Sequence, residues 1–285
     1  MDEVVAHYEQ VREEDRLAAG IGELERIRTE EVIARHLPPP PCAILDVGGG
    51  PGVYACWLRD RGYEVDLVDP VPRHVELARA RLAQAGNGRG QARSGDARRL
   101  EFEDASRDAV LLLGPLYHLP RRADRDRSLN EAYRVLRPGG ILFAAALSRF
   151  ASLLGGFIGG LVRDPQFVTI LERDLEDGEH HNPTPNPVYF TTAYLHRPED
   201  LRPELAAAGF DVLELVGIEG PFWCMPDFDG LWNDAATRAL MLALLRRVES
   251  EPSLLGSSAH LLAVCRKPSE EPASPGHARA RHAER

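Results

Sequence analysis

The stretch Ile44-Leu45-Asp46-Val47-Gly48-Gly49-Gly50-Pro51-Gly52 joins an apolar run to a glycine-rich turn. The run 43–47 predicts a buried strand, and 53–61 predicts a helix that begins directly after the turn. Glycines let a ligand approach the backbone, and the first turn of a helix presents free N–H groups. The stretch therefore predicts a ligand-binding loop. Because Gly50-x-Gly52-x-x-Ala55 also fits the dinucleotide fingerprint, a nicotinamide cofactor stays open at this point.

Around this loop, short apolar runs alternate with helical patterns. We expect strands at 43–47, 65–68, 90–93, 109–113, 141–147, 210–218 and 259–265, and helices at 2–19, 23–36, 53–61, 72–84, 124–136, 198–208 and 229–248. Strands that alternate with helices of this length are typical of parallel, doubly wound sheets. The pattern predicts an α/β fold, with a Rossmann-like, mostly parallel sheet of seven strands.

The segments outside this alternation predict three additions. A proline run, Pro38–Pro41, separates a helical cap (1–37) from the main domain (38–267). Residues 148–195 interrupt the alternation, and an insertion of that size often forms a lid or a substrate-binding loop. The tail 268–285 has almost nothing to bury and is predicted to be disordered.

Composition limits the classes of partner. The 285 residues are 44% hydrophobic and 27% charged, as in globular proteins, and the net charge is −10. An acidic chain is a poor match for the phosphate backbone, so we expect no nucleic-acid partner. The stretch 141–162 is long enough to span a membrane, but Arg149 and four glycines argue against a spanning helix. We therefore expect no membrane partner.

The cysteines and histidines show no metal pattern. Cys42, Cys56, Cys224 and Cys265 form no C-x-x-C pair and have no zinc-like spacing to a histidine. The pair His180-His181 has no carboxylate pattern beside it, so we expect no metal. Free thiols, together with an acidic N-terminus without the pattern of a secretory signal, predict a cytoplasmic protein.

Four elements in order carry a resemblance: Asp46-x-Gly48-x-Gly50-x-Gly52, Asp69, Gly95-Asp96 and Leu136–Gly140. Together they resemble the signature of class I S-adenosylmethionine-dependent methyltransferases over roughly residues 40–147. The resemblance implies S-adenosyl-L-methionine as cofactor and S-adenosyl-L-homocysteine as product.

The same resemblance implies which residues hold the cofactor. Asp46 and the glycines, including Gly49, would contact the methionine part, Asp69 the ribose and Asp96 the adenine. The expected cofactor set further includes Pro70, Gly95, Ala97, Leu113 and Gly114. On the N-terminal helices Tyr8, Arg16 and Arg28 are candidates, since an arginine can pair with the cofactor carboxylate; Tyr8 and Arg28 join the expected set. Ordinary surface roles for these three residues stay open.

The segment after the fourth strand, 113–120, is the expected place for chemistry, since doubly wound folds bind ligands at the carboxyl edge. Tyr117 and His118 are the candidate catalytic residues, with His118 as a base if the nucleophile arrives protonated. Structural roles for both stay open. The segment lacks the Asn/Asp-Pro-Pro-Tyr/Phe motif of many DNA-adenine and protein-glutamine methyltransferases. It resembles the loop of bacterial small-molecule methyltransferases instead.

The lid and the loop after the sixth strand supply the candidate substrate-binding residues: His181, Tyr189, Tyr194, His196 and Trp223, with an exposed loop as the alternative for the lid. The resulting prediction is in-line methyl transfer to oxygen or nitrogen of a small molecule by a monomer or homodimer. Methylation of a peptide or protein side chain, or cofactor binding without catalysis, are the alternatives. A nicotinamide oxidoreductase fits least.

Overall fold

The computed structural model of the protein describes residues 2–85 and 89–269. Its helices are α1 (Asp2–Gln10), α2 (Glu13–Arg16), α3 (Gly20–His36), α4 (Val53–Arg59), α5 (Pro72–Leu82), α6 (Arg122–Val135), α7 (Ala151–Ile158), α8 (Pro165–Glu176), α9 (Pro198–Ala207), α10 (Phe228–Asn233), α11 (Ala235–Val248) and α12 (Pro252–Leu255). Its strands are β1 (Ala43–Val47), β2 (Glu64–Asp69), β3 (Ala92–Ser94), β4 (Arg107–Leu112), β5 (Leu136–Ser148), β6 (Glu179–His180), β7 (Ala193–His196), β8 (Asp211–Gly217) and β9 (His260–Arg266). The predicted disordered tail lies outside the described residues from 270 onward.

The central sheet has the strand order β3-β2-β1-β4-β5-β9-β8. Its pairs are parallel from β3 to β5, whereas β9 runs antiparallel to both β5 and β8. Strands β1 and β4 are buried almost throughout because the neighbouring helices cover both faces of the sheet. The predicted mostly parallel sheet of seven strands is thus confirmed. The short strands β6 and β7 extend it at the end of β5.

Two predicted helices are interrupted. The pattern at 2–19 breaks after Gln10, so α1 and the short α2 are separate. The pattern at 229–248 breaks at Asp234, whose carboxylate accepts a hydrogen bond from the Thr237 amide and caps α11. Side chains that satisfy the free N–H groups of a new helix make such a break stable.

Helix α3 packs against the body of the protein. Its residues Val32 and Ile33 are fully buried in the core on one face of the sheet. Leu24, also on α3, packs in a separate apolar cluster with Trp232 of α10 and Leu245 of α11. The N-terminal region is therefore held by the same apolar burial as the core.

The 148–195 segment contains α7, α8, β6 and the start of β7. Phe167, Ile170, Leu171 and Tyr189 form a small apolar cluster of its own. Arg149 lies buried at its base, where its guanidinium donates to the carbonyls of Leu195 and Asp177. A strand followed by a separate helix, as predicted for 141–162, is what the structure has.

Over residues 2–85 and 89–269, no helix combines the length and the apolar character that crossing a membrane requires.

Candidate active site

A large cavity opens at the carboxyl edge of the sheet, where β1, β2, β3 and β4 end. This first cavity has a volume of about 1210 Å³, counting its open mouth. Twelve residues of the expected cofactor set line it: Tyr8, Asp46, Gly48, Gly49, Gly50, Asp69, Pro70, Gly95, Asp96, Ala97, Leu113 and Gly114. Parallel strands bring these residues together because their carboxyl ends meet at one edge.

The glycine turn wraps closely around the side chain of Asp46. A Cβ atom on Gly49 would lie 2.6 Å from Asp46 Oδ2, so a larger residue would displace the carboxyl group. The turn is tied to the neighbouring strand, since the Gly48 amide donates to the Val68 carbonyl over 2.7 Å. The turn therefore fixes the position of Asp46 in the cavity wall.

Asp46 is fully buried, and neither of its carboxyl oxygens has a hydrogen-bond partner among the described residues. Burial, reinforced by the nearby charge of Asp69, raises the pKa of Asp46 to about 7. A buried carboxylate without partners is costly unless a ligand supplies donors. An ammonium group such as that of an amino-acid moiety satisfies this requirement, so the site fits the cofactor that the resemblance implies.

Two further carboxylates face the first cavity. Asp69 is anchored by the amides of Gly50 and Val71, at 2.9 and 2.8 Å. Asp96 pairs with Arg98; burial opposes its ionisation, but the hydrogen bonds from Arg98 hold the pKa of Asp96 below its usual range. Both side chains are thus held as acceptors at the ends of adjacent strands.

Two members of the expected cofactor set, Gly52 and Arg28, do not line the first cavity, which corrects the expectation that they form its wall. Gly52 adopts a φ of +85°, and a Cβ there would lie 3.3 Å from Ala78, so Gly52 serves the packing of α4 on α5. Arg28 is fully buried and pairs with Glu31 and Glu249 instead of lining the cavity. Arg16, the other candidate arginine, does line it.

The candidate base His118 is already hydrogen-bonded at both ring nitrogens. Its Nδ1 faces the Thr192 carbonyl at 3.2 Å and therefore carries the proton. Its Nε2 lies 2.9 Å from the Tyr8 hydroxyl and accepts from it. Burial lowers the pKa of His118 to about 4, so the ring is neutral near pH 7. In this geometry neither ring nitrogen of His118 has a free lone pair with which it could act as a base.

A second cavity adjoins the first, between α1, α2 and the lid. Its volume is about 1650 Å³, counting its mouth. Its apolar lining includes Val11, Leu147, Ala151, Leu161, Phe167, Val188, Phe190 and Leu195. Five residues line both cavities: Tyr8, Glu13, Arg16, Tyr117 and His260. The candidate Tyr117 thus lies at the wall between the two cavities, where burial raises the pKa of its hydroxyl.

Of the predicted substrate-binding residues, Tyr189 lines the second cavity, and its hydroxyl donates to Asp164 over 2.5 Å. His180 and Phe190, from the same predicted lid segment, line it as well. Phe190 has a φ of +70°, which is rare for a bulky residue and points to a constrained position.

The other four predicted substrate-binding residues do not line either cavity, which corrects the expectation that they form its wall. His181 is exposed and lies 3.6 Å from Glu3. The guanidinium of Arg125 stacks on the Tyr194 ring, 3.7 Å from its centroid. His196 is fully buried, 3.6 Å from Glu204, and the Trp223 indole N–H donates to the Ser257 carbonyl over 2.8 Å. Tertiary partners of their own hold three of these four side chains in place.

His260 was not predicted from the sequence, and Glu219 was predicted only as part of the loop after the sixth strand, without a role of its own. Because β9 is antiparallel, its first residue, His260, lies at the edge where the parallel strands end. Its Nδ1 lies 2.5 Å from Glu219 Oε1 and 3.8 Å from Glu25 Oε2. Burial alone would lower the pKa of His260, but attraction to Glu25 and Glu219 raises it to about 9. No local pattern in the sequence marks this residue, because the direction of the final strand is set by how it pairs in the sheet.

The ligand atoms of Glu25, Glu219 and His260 lie within 4.8 Å of one another, a spacing that a metal ion also requires. The Arg16 guanidinium already pairs with both oxygens of Glu25 and brings a positive charge there. The arrangement thus compensates its own charge, and the absence of a metal stays a prediction.

Comparison with known proteins adds independent evidence. Residues 45–144 match the family model described as a methyltransferase domain. An uncharacterized methyltransferase of Mycobacterium tuberculosis (strain ATCC 25618 / H37Rv) is 33% identical over 184 residues, which span 64% of this chain and 68% of that protein. A demethylmenaquinone methyltransferase of Deinococcus radiodurans is 36% identical over 132 residues, 46% of this chain and 52% of that protein. The crystal structure of a SAM-dependent methyltransferase from Methanosarcina mazei has a TM-score of 0.57 at 19% identity, with 84% of this chain and 98% of that chain covered.

Proposed function

Because the chain belongs to the class I S-adenosylmethionine-dependent methyltransferases, we propose that it methylates oxygen or nitrogen of a small molecule bound in the second cavity. S-adenosylmethionine is the cofactor, and when bound it supplies an electrophilic methyl group. The observation that carries the proposed binding site of the acceptor is the wall of five residues common to both cavities. A molecule in the second cavity would meet the first at that wall.

In this proposal the chain positions and encloses the reactants. Asp46 would accept from the cofactor ammonium, and Asp69 from the ribose hydroxyls. Helix α1 and the lid are joined by the Thr191 hydroxyl, which donates to the Glu3 carbonyl over 3.3 Å. Such closure keeps water from the reacting atoms and holds them in line, which is the main requirement of a displacement reaction.

Two observations support a small apolar acceptor. The lining of the second cavity is dominated by aliphatic and aromatic side chains, which favour an apolar ring or chain over a solvated polymer. The relative in Deinococcus radiodurans is named a demethylmenaquinone methyltransferase, and its name supports a small molecule as acceptor here too. The acidic net charge of −10 argues against nucleic acid.

The test measures S-adenosylhomocysteine formed from S-adenosylmethionine with panels of phenols, amines and short peptides. We expect product with small molecules, and none with peptides or without an acceptor. The Asp46→Asn variant, which weakens cofactor binding, serves as the matched control. Product with peptides alone would favour the side-chain alternative. Cofactor binding without product across all three panels would favour a binding protein without catalysis.

A further inference from the structure

The imidazole of His260 presents one nitrogen to the carboxylates behind it and leaves the other unpaired. Glu219 accepts from Nδ1, and its second oxygen accepts from the Ser258 hydroxyl at 2.8 Å. Glu25 lies on the same Nδ1 side. Among the described residues nothing hydrogen-bonds to Nε2, on the opposite edge of the ring. Since His260 lines both cavities, Nε2 is its ring nitrogen that is left available to a ligand.

The charged groups around His260 keep its ring protonated, while its Nε2–H stays without a hydrogen-bond partner among the described residues. The groups that face it are Glu25 from α3, Glu219 from the loop after β8, Arg16 from α2, and Tyr117 from the turn after β4. Glu13, also on α2, lies in the same wall, where its carboxylate accepts a hydrogen bond from Arg16. Arg16 pairs with Glu25, and Glu219 is fully buried behind the ring. With its pKa raised to about 9, the ring stays an imidazolium near pH 7. An imidazolium has two donors and no acceptor, so Nε2–H offers a charge-assisted hydrogen bond.

We propose that His260 binds the methyl acceptor through Nε2–H and selects an acceptor whose nucleophile is an oxyanion: a phenolate, an enolate or a carboxylate. This inference rests on the proposed function and narrows it from oxygen or nitrogen to oxygen. Glu219 and Glu25 are positioning residues that orient the ring and maintain its charge. The apolar lining of the second cavity would hold the rest of the acceptor.

Methyl transfer to an oxyanion needs no base at His260, and its protons, bonds and charges are all accounted for. The acceptor loses its proton to solvent as its anion binds against the imidazolium. A lone pair of the oxyanion then forms the bond to the methyl carbon, and the sulfur keeps the electron pair of the bond that breaks. The negative oxygen and the positive sulfonium both become neutral, while His260 stays protonated throughout.

Binding of two isosteric probes tests the proposal apart from turnover. The protein loaded with S-adenosylhomocysteine is titrated at pH 7.5 with 2-naphthoate and with neutral 2-naphthamide. We expect the carboxylate to bind at least tenfold more tightly, a preference that disappears above pH 9 and in His260→Gln. His36→Gln, a histidine paired with Glu214 away from both cavities, should retain the preference. Equal affinities in the wild type, or no binding of the carboxylate, would overturn the proposal.

An NMR titration of the histidine ring gives a second readout. In the wild type His260 should remain protonated well above pH 7, and Glu219→Gln should lower its pKa by at least one unit. A neutral ring at pH 7 would overturn the proposal even if His260→Gln does not fold. Affinity for S-adenosylhomocysteine separates the proposed function from the role proposed for His260. If the protein does not bind S-adenosylhomocysteine, the proposed function is refuted. If it binds S-adenosylhomocysteine but shows no preference for the anion, only the role of His260 is refuted.

Discussion

The hydroxyl of Tyr8 lies 2.9 Å from Nε2 of His118, although 110 positions separate the two residues in the chain. The bond joins α1 to the turn after β4 at the edge of the first cavity. His118 is in turn fixed by the carbonyl of Thr192 at the end of the lid. One hydrogen-bonded chain therefore links the N-terminal helix, the sheet edge and the lid.

Tyr8 and His118 should act as one unit. We expect Tyr8→Phe and His118→Gln each to lower kcat/KM by about 3- to 10-fold, the effect of one hydrogen bond worth ~1 kcal/mol. The double variant should be little worse than either single variant, because each change breaks the same bond. Kinetics of all three with a saturating cofactor check this. Additive losses would show that the two residues work separately.

Asp46 should couple cofactor affinity to pH. Its pKa rises from 3.8 to about 7 in the folded protein, so the carboxylate that an ammonium needs forms only as pH passes 7. Cofactor affinity should therefore fall by up to tenfold per unit below pH 7. Calorimetric titration from pH 5.5 to 8.5 measures it. In Asp46→Asn the affinity should be low and lose this pH dependence.

The same carboxyl group should destabilise the cofactor-free protein at high pH. Between pH 4 and 7 the folded state holds a proton on Asp46 that the unfolded state has released, so stability falls as pH rises, by about 1.4 kcal/mol per unit for this group. We expect Asp46→Asn without ligand to melt several degrees higher than the wild type at pH 8. Equal melting temperatures at pH 8 would contradict the assigned burial cost.

Substitutions of Arg16 and Arg28 compare an arginine that lines the first cavity with one that does not. Arg28 is fully buried against Glu249, which keeps Arg35 as a second partner, so removal of Arg28 should cost about 3 kcal/mol, the lower end of the range for a broken buried pair. Arg28→Met should lower Tm by roughly 10 °C and leave the cofactor Kd of the folded protein unchanged. Arg16→Met should weaken cofactor binding about tenfold with a smaller change in Tm, if Arg16 pairs with the cofactor carboxylate. Thermal melts and binding titrations would separate the two; a reversed pattern contradicts the assignment.

Phe190 should affect the acceptor and not the cofactor. The centroid of its ring lies 5.6 Å from that of His118 and 5.7 Å from that of His7, and Phe190 lines the second cavity. Phe190→Ala should raise the acceptor KM by about 3- to 10-fold, as expected for an aromatic contact of ~1 kcal/mol, at unchanged cofactor Kd. Leu213→Ala, on an exposed position of β8, is the control. An altered cofactor Kd would place Phe190 at the other cavity.

Much of the cofactor side could be predicted because it depends on local signals. The glycine turn and Asp69 each follow a buried strand, and parallel strands bring their ends together whatever the details of packing. The local signal was not sufficient for Gly52, because the same positive φ that suits a binding loop also suits the close packing of α4 on α5. The local signal was not sufficient for Arg28 either, because helical spacing does not show which face of α3 meets Glu249, 221 positions away in the chain.

The sequence alone determined the α/β fold and the order of the strands along the chain, since these follow from hydrophobic period and turn chemistry. Its resemblance to the methyltransferase signature implied the cofactor and the carboxylates that would hold it. Only the tertiary structure decided the acceptor side. The partners of His118 come from α1 and the lid, and Phe190 of the lid contacts His7 of α1. The partners of His260 come from α3 and the loop after β8, and no local pattern encodes such distant contacts. Long-range packing therefore placed His260 at the wall of both cavities and left His181, Tyr194 and His196 outside them.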